Sequence, residues 1–186
     1  MIEKTYRSYQ FLEVRSADGG EDQGIFSGYA STYQTDAYGD KIVPGAFAQS
    51  LVDKRGKYPI MLSHDTSQPP IGFTTSIAED AKGLHVEAAL ALRTSGGRDS
   101  FELLKAAKAA DYRMGLSIGF ITNEWEMDGD IRLLKSIDLW EISLTPFPAN
   151  RGSRVDETRS VRHPQRDYRS VLAAIFDERL ALAKRT

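Results

Sequence analysis

Met114-Gly115-Leu116-Ser117-Ile118-Gly119-Phe120 alternates large apolar residues with small ones, and the pattern continues as strand to Trp125. Successive strand side chains point to opposite faces, so Met114, Leu116, Ile118 and Phe120 point one way and Gly115, Ser117 and Gly119 the other. The turn-rich Glu126-Met127-Asp128-Gly129-Asp130 then reverses the chain, and Ile131 to Thr145 supplies a second strand. A long hairpin here makes the protein mainly β.

Upstream the same logic yields more strands. Gly24 to Tyr33 alternates around Ile25, Phe26, Tyr29 and Ala30 and runs into the turn residues Asp36-Ala37-Tyr38-Gly39-Asp40. Pro59 to His64, Ile71 to Glu79 and Leu84 to Leu92 are predicted strands, the last two forming a hairpin about Asp80-Ala81-Lys82-Gly83. Two short helices interrupt them. One is predicted from Pro44 to about Asp53, with Phe47 and Leu51 at i, i+4; the other runs to about Ala110 from a capping box at Asp99 and Glu102. The expected class is α+β, mainly β with flanking helices, built as a closed or nearly closed β-barrel surrounded by short helices.

The 186 residues, 41% of them hydrophobic, suffice for one core. Residues 1–150 are expected to form that domain. The composition then shifts: from Arg151 to Asp167 come Arg154, Arg159, Arg162 and Arg166 with almost no large apolar residue, which reads as a polar, arginine-rich linker. Val171, Leu172, Ile175, Phe176 and Leu180 restore helical periodicity, so residues 168–186 are predicted to be an amphipathic helix.

A formal charge of −2 argues against a nucleic-acid binder with a basic surface. Cysteine is absent, which removes disulfides, thiolate metal sites and a cysteine nucleophile together. The first residues lack the apolar core of a secretory signal, and no stretch approaches the ~20 apolar residues of a membrane span. The protein is therefore expected to work where it is made, away from membranes.

Ser117 lies on a face stripped of bulk. Glycine inside a strand marks close approach of another backbone or a ligand, so Gly115 and Gly119 are expected to leave room for a substrate peptide; the plainer alternative is a serine packed beneath a helix. The Gly115-x-Ser117-x-Gly119 spacing also matches the nucleophile elbow of α/β-hydrolases. That motif needs a strand-to-helix turn and a later histidine, whereas here the strand continues and the only later histidine is His163, among arginines.

A serine hydroxyl needs a base, and the base works best when a third group fixes its tautomer. His85 falls on the polar face of its strand. His64, sharing a predicted face with Ile60 and Leu62, is the best base, although a lone histidine there also reads as core packing. Glu141 is the best third group, because it shares a face with Leu139 and Ser143, where a carboxylate is costly without a partner. Asp65 suits less, since adjacent strand residues point to opposite faces. Histidine and carboxylate spacing does not match a zinc site, so no metal or other cofactor is expected.

Taken together, Gly28-Tyr29-Ala30, Pro44-Gly45-Ala46-Phe47, Leu62-Ser63-His64-Asp65, Ile71-Gly72, the Ser117 strand, Glu141-Ile142-Ser143-Leu144 and Pro148-Ala149-Asn150 resemble the prohead maturation proteases of tailed phages, of the HK97 type. The likeness spans about Gly28 to Asn150. It implies a herpesvirus-protease-like fold and peptide hydrolysis through an acyl-enzyme on Ser117, with His64 as base. Glu141 stands where herpesvirus relatives carry a second histidine, so either it replaces that residue or a dyad suffices. By the same resemblance Arg151, or Arg154, helps stabilise the oxyanion. The implied substrate is major capsid protein or scaffold, and the protease itself, inside the immature capsid in the host cytoplasm. A homodimer is implied too. The rival expectation is a non-catalytic assembly factor with a protease-like fold.

Overall fold

The computed structural model describes residues 23–161. In chain order these form β1 (Gln23–Thr32), β2 (Asp40–Ile42), α1 (Ala48–Asp53), β3 (Pro59–Leu62), β4 (Gly72–Glu79), β5 (Gly83–Leu90), α2 (Ser95–Ala109), β6 (Gly115–Asp128), β7 (Ile131–Thr145) and β8 (Val155–Val161). The helix expected over 168–186, and His163, lie outside the described residues.

β7 organises the sheet because it is long enough to serve several partners. One edge carries β6 along its whole length, antiparallel. The other carries two short parallel strands in succession, β2 opposite Arg132–Leu134 and β3 opposite Ile142–Leu144. From β3 the sheet continues through β4, β5 and β1 to β8.

Alternation explains the core. In β5, Leu84, Val86, Ala88 and Leu90 turn inward, as their spacing predicts, and join Phe26, Tyr58, Ile60, Leu116, Leu134, Leu139 and Ile142. Each large side chain among them contributes about 1.5–3 kcal/mol by leaving water. α2 adds Phe101, Leu104 and Ala107.

Four expectations are corrected. The sheet is not a closed barrel: β6 and β8 share no ladder, and the two ends meet only at Gly115 and Arg154. Leu116 N–H donates to Ser153 O and Val155 N–H to Met114 O, after which the strands diverge. Gly28 lets β1 lie against the approach to β8, where Tyr29 N–H donates to Arg154 O and a Cβ on the glycine would lie 2.1 Å from that oxygen. Next, the segment 151–167 is not wholly a linker; Val155–Val161 is β8, paired antiparallel with β1, and arginine-rich composition hid a strand with one face on solvent. Third, α2 starts a turn before Asp99, because Thr94 accepts from Gly97 N–H and caps it, while Ser95-Gly96-Gly97 reads as loop. Last, α1 starts only at Ala48, because Gly45 at φ 89° stands outside helical geometry.

Candidate active site

The β6–β7 ladder sets Gly115, Ser117 and Gly119 opposite Thr145, Ser143 and Glu141. Directly opposed residues share a face, so the serine and the carboxylate lie on one surface of the hairpin. The histidine arrives from the other edge of β7, at the end of β3.

Its delivery differs from the sequence expectation. β3 stops at Leu62, which is itself exposed, and His64 does not continue the strand face of Ile60. Ser63 and His64 both adopt left-handed backbone, φ 48° and 61°, within a turn closed by Asp65 N–H donating to Leu62 O at 2.9 Å. Two non-glycine residues in this region are unusual and need surrounding structure to hold them. The turn brings the imidazole to Glu141 and Ser117.

Nδ1 of His64 then lies 2.5 Å from Glu141 Oε1, and Nε2 lies 2.9 Å from Ser117 Oγ. The carboxylate is buried, with its side chain 10% exposed against 43% for that of His64. The hydrogen bond to Glu141 raises the His64 pKa above its ordinary value, burial opposes this, and the carboxylate charge adds to the rise. An oriented base, a hydroxyl within its reach and a buried carboxylate behind it can perform acyl transfer.

Both glycines also make room within the protein itself. A Cβ at Gly119 would fall 2.3 Å from Glu141 Oε1, so this residue makes space for the carboxylate. At Gly115 the space is filled by Pro148 and Thr145 O, at 2.5 and 2.6 Å. Gly119 still borders an open groove of about 420 Å³, with His64, Thr66, Ile118, Phe120, Ile121, Trp140 and Glu141. Ser117 also borders a smaller cleft with Ser31, Thr32, Phe120 and Asn150, where β6 and β1 part.

The other sequence candidates stand apart. Asp65 accepts from the backbone and hydroxyl of Ser67, which together lower its pKa. His85 packs edge-on against Tyr29, 5.2 Å between centroids. Arg154 ties the approach to β8 onto β1, its carbonyl accepting from Tyr29 N–H, and its guanidinium donates to Ser153 O. Arg151 is exposed in the turn after Asn150.

Three residues here had no assigned role in the sequence. Ser143, fully buried, donates to Glu141 Oε2 at 2.8 Å; its place two residues from Glu141 on the same strand face was the available signal. Trp140 is half exposed yet held, its indole N–H donating to Asp138 at 2.7 Å and Lys54 Nζ lying 6.0 Å from the ring. Asn150 donates to Thr32 O and Gln34 O and accepts from Thr32 Oγ1 and Gly152 N–H, which fixes the turn beside Ser117 to the end of β1.

Residues 10–167 match the family described as caudovirus prohead serine protease. The prohead protease of Enterobacteria phage HK97 is 37% identical over 158 residues, covering 83% of this chain and 68% of the relative. The prohead protease of Escherichia phage T5 is 26% identical over 178 residues, covering 92% of this chain and 82% of its own. Among solved structures, KSHV protease in complex with a hexapeptide phosphonate inhibitor aligns at a TM-score of 0.44 and 13% identity, over 76% of this chain and 66% of that one. Varicella-zoster virus protease aligns at 0.44 and 20%, over 73% and 63%.

Proposed function

This chain belongs to the caudovirus prohead serine protease family, and from that premise we propose that it cleaves capsid or scaffold protein, and itself, inside the immature capsid in the host cytoplasm. The observation that carries this reading is the unbroken contact chain from Ser117 through His64 to the buried carboxylate of Glu141.

In the proposed reaction His64 Nε2 takes the Ser117 proton as Oγ attacks the scissile carbonyl carbon. Glu141 holds the Nδ1 proton and stabilises the imidazolium that forms. The tetrahedral intermediate collapses as the imidazolium gives its proton to the leaving amine, and the C–N bond breaks. Water then attacks the acyl-enzyme with the same base, releasing the new carboxylate and restoring the Ser117 hydroxyl.

Developing oxyanion charge needs a donor beside Ser117. Arg151 is our candidate, because the turn that carries it is anchored by Asn150, which borders the same cleft as the nucleophile. The substrate lies in the groove walled by Trp140 and Ile121. Coexpression with the capsid protein of the same phage tests the assignment. Processing of capsid protein and of the chain itself is expected to stop in both Ser117→Ala and His64→Ala. Processing that survives both substitutions would favour the non-catalytic assembly factor.

A further inference from the structure

Ser143 sits two residues from the end of β7 with no exposure, opposite Ser117 across the ladder to β6. Its hydroxyl accepts from the backbone N–H of His64 at 2.9 Å and donates to Glu141 Oε2 at 2.8 Å. The other oxygen of that carboxylate meets Nδ1 of the same histidine. These three hydrogen bonds close a ring that leaves His64 through its backbone and returns through its imidazole.

We propose that Ser143 is a positioning residue: one hydroxyl locks the left-handed turn at His64 and the carboxylate plane of Glu141 into a common frame, and so aims Nε2 at Ser117. This rests on the protease reading above.

Two features of the chain create the need. The terminal torsion of a glutamate is broad, so a carboxylate held by one oxygen can rotate away; a partner on Oε2 removes that freedom. The turn at Ser63 and His64 is intrinsically unfavourable and must be held from outside. Ser63 N–H is tied to Leu144 O and Asp65 N–H to Leu62 O, while the partner of His64 N–H is the Ser143 hydroxyl. A buried serine with a purely local role satisfies its hydroxyl on nearby backbone, as Ser100 does on Gly96 O. Ser143 is bonded to two members of the site.

The test compares full-length wild type, Ser143→Ala and Ser143→Thr by two measurements. One is the proton resonance of the His64 imidazole Nδ1–H, which reads the histidine–carboxylate contact without any turnover. The other is the rate at which a fluorophosphonate modifies Ser117. Ser143→Ala is expected to weaken the deshielded Nδ1 signal and to slow modification about ten- to a hundredfold, with Ser143→Thr restoring both. Should the threonine variant not fold, Ser143→Cys, a weaker donor of similar size, is expected to give an intermediate rate. The proposal is overturned if Ser143→Ala keeps the wild-type signal, whatever its rate, or if variants retaining a donor behave like alanine. Failure of wild type to react at Ser117 would instead remove the protease reading, and the Nδ1 resonance would still decide the role of Ser143.

Discussion

Gly119 stands opposite Glu141 across the β6–β7 ladder, so close that a Cβ on the glycine would lie 2.3 Å from the carboxylate oxygen that meets His64. A methyl group there must push the carboxylate out of its place. Gly119→Ala is therefore expected to lower kcat/KM by about a hundredfold, comparable to losing a positioned catalytic group. Steady-state kinetics on a cleavable peptide, with circular dichroism to verify the fold, checks it; near-normal turnover would show that the carboxylate can move at no cost.

Glu141 is expected to set the pH profile. His64 must be neutral to act as base, so kcat/KM is expected to rise with pH through a pKa above the ordinary value of about 6.5. Glu141→Gln removes the largest cause of that elevation. Its acid limb is expected at lower pH and its plateau at least about tenfold lower. An unmoved limb would separate Glu141 from the mechanism.

The same linkage reaches stability. Because the folded His64 pKa lies above the unfolded one, the protonated pair stabilises the fold fully below about pH 6.5, and this contribution is lost as pH rises through the folded pKa. The stability gap between wild type and Glu141→Gln is thus expected to narrow with rising pH. Urea titrations at several pH values read it directly; a gap that widens contradicts the pairing.

Trp140 is expected to act on binding. It borders the groove beside His64 and is fixed by Asp138 and Lys54, so a substrate side chain meets a surface already ordered. Trp140→Ala is expected to raise KM several-fold, with kcat changing less. The opposite pattern, kcat falling at constant KM, would assign it to the chemistry.

Where β1 meets the approach to β8, Gly28→Ala is expected to destabilise the protein by about 1–3 kcal/mol, because Arg154 O occupies the space that a methyl group needs. Thermal unfolding measures it. An unchanged melting temperature would mean that β1 and the approach to β8 separate freely.

Local pattern carried much of this architecture. The bounds of β7, Ile131–Thr145, and the inward face of β5 follow directly from alternation of apolar residues. The pairing of Ser117, His64 and Glu141 in space followed from chemistry: one serine on a bare face, one histidine better placed than the others, one carboxylate on a buried face. What stayed hidden depends on contacts distant in sequence or on backbone torsions that composition does not encode. The left-handed turn at Ser63 and His64 is one such case, since alternation placed His64 on the face of Ile60. Gly119 is another. A glycine clearing space for a carboxylate on the neighbouring strand looks, in sequence, the same as one clearing space for substrate. β8 escaped notice because Val155 is its one buried residue and polar or charged residues fill most of the rest.

The central claim is that His64 activates Ser117 as the nucleophile, and its most direct test is covalent. Full-length protein is treated with a fluorophosphonate and the modified residue is mapped by mass spectrometry in wild type, Ser117→Ala and His64→Ala. A single adduct on Ser117, absent from Ser117→Ala and formed at least about a hundredfold more slowly in His64→Ala, is the expected result. An adduct on another residue, or a rate at Ser117 indifferent to His64, would contradict it.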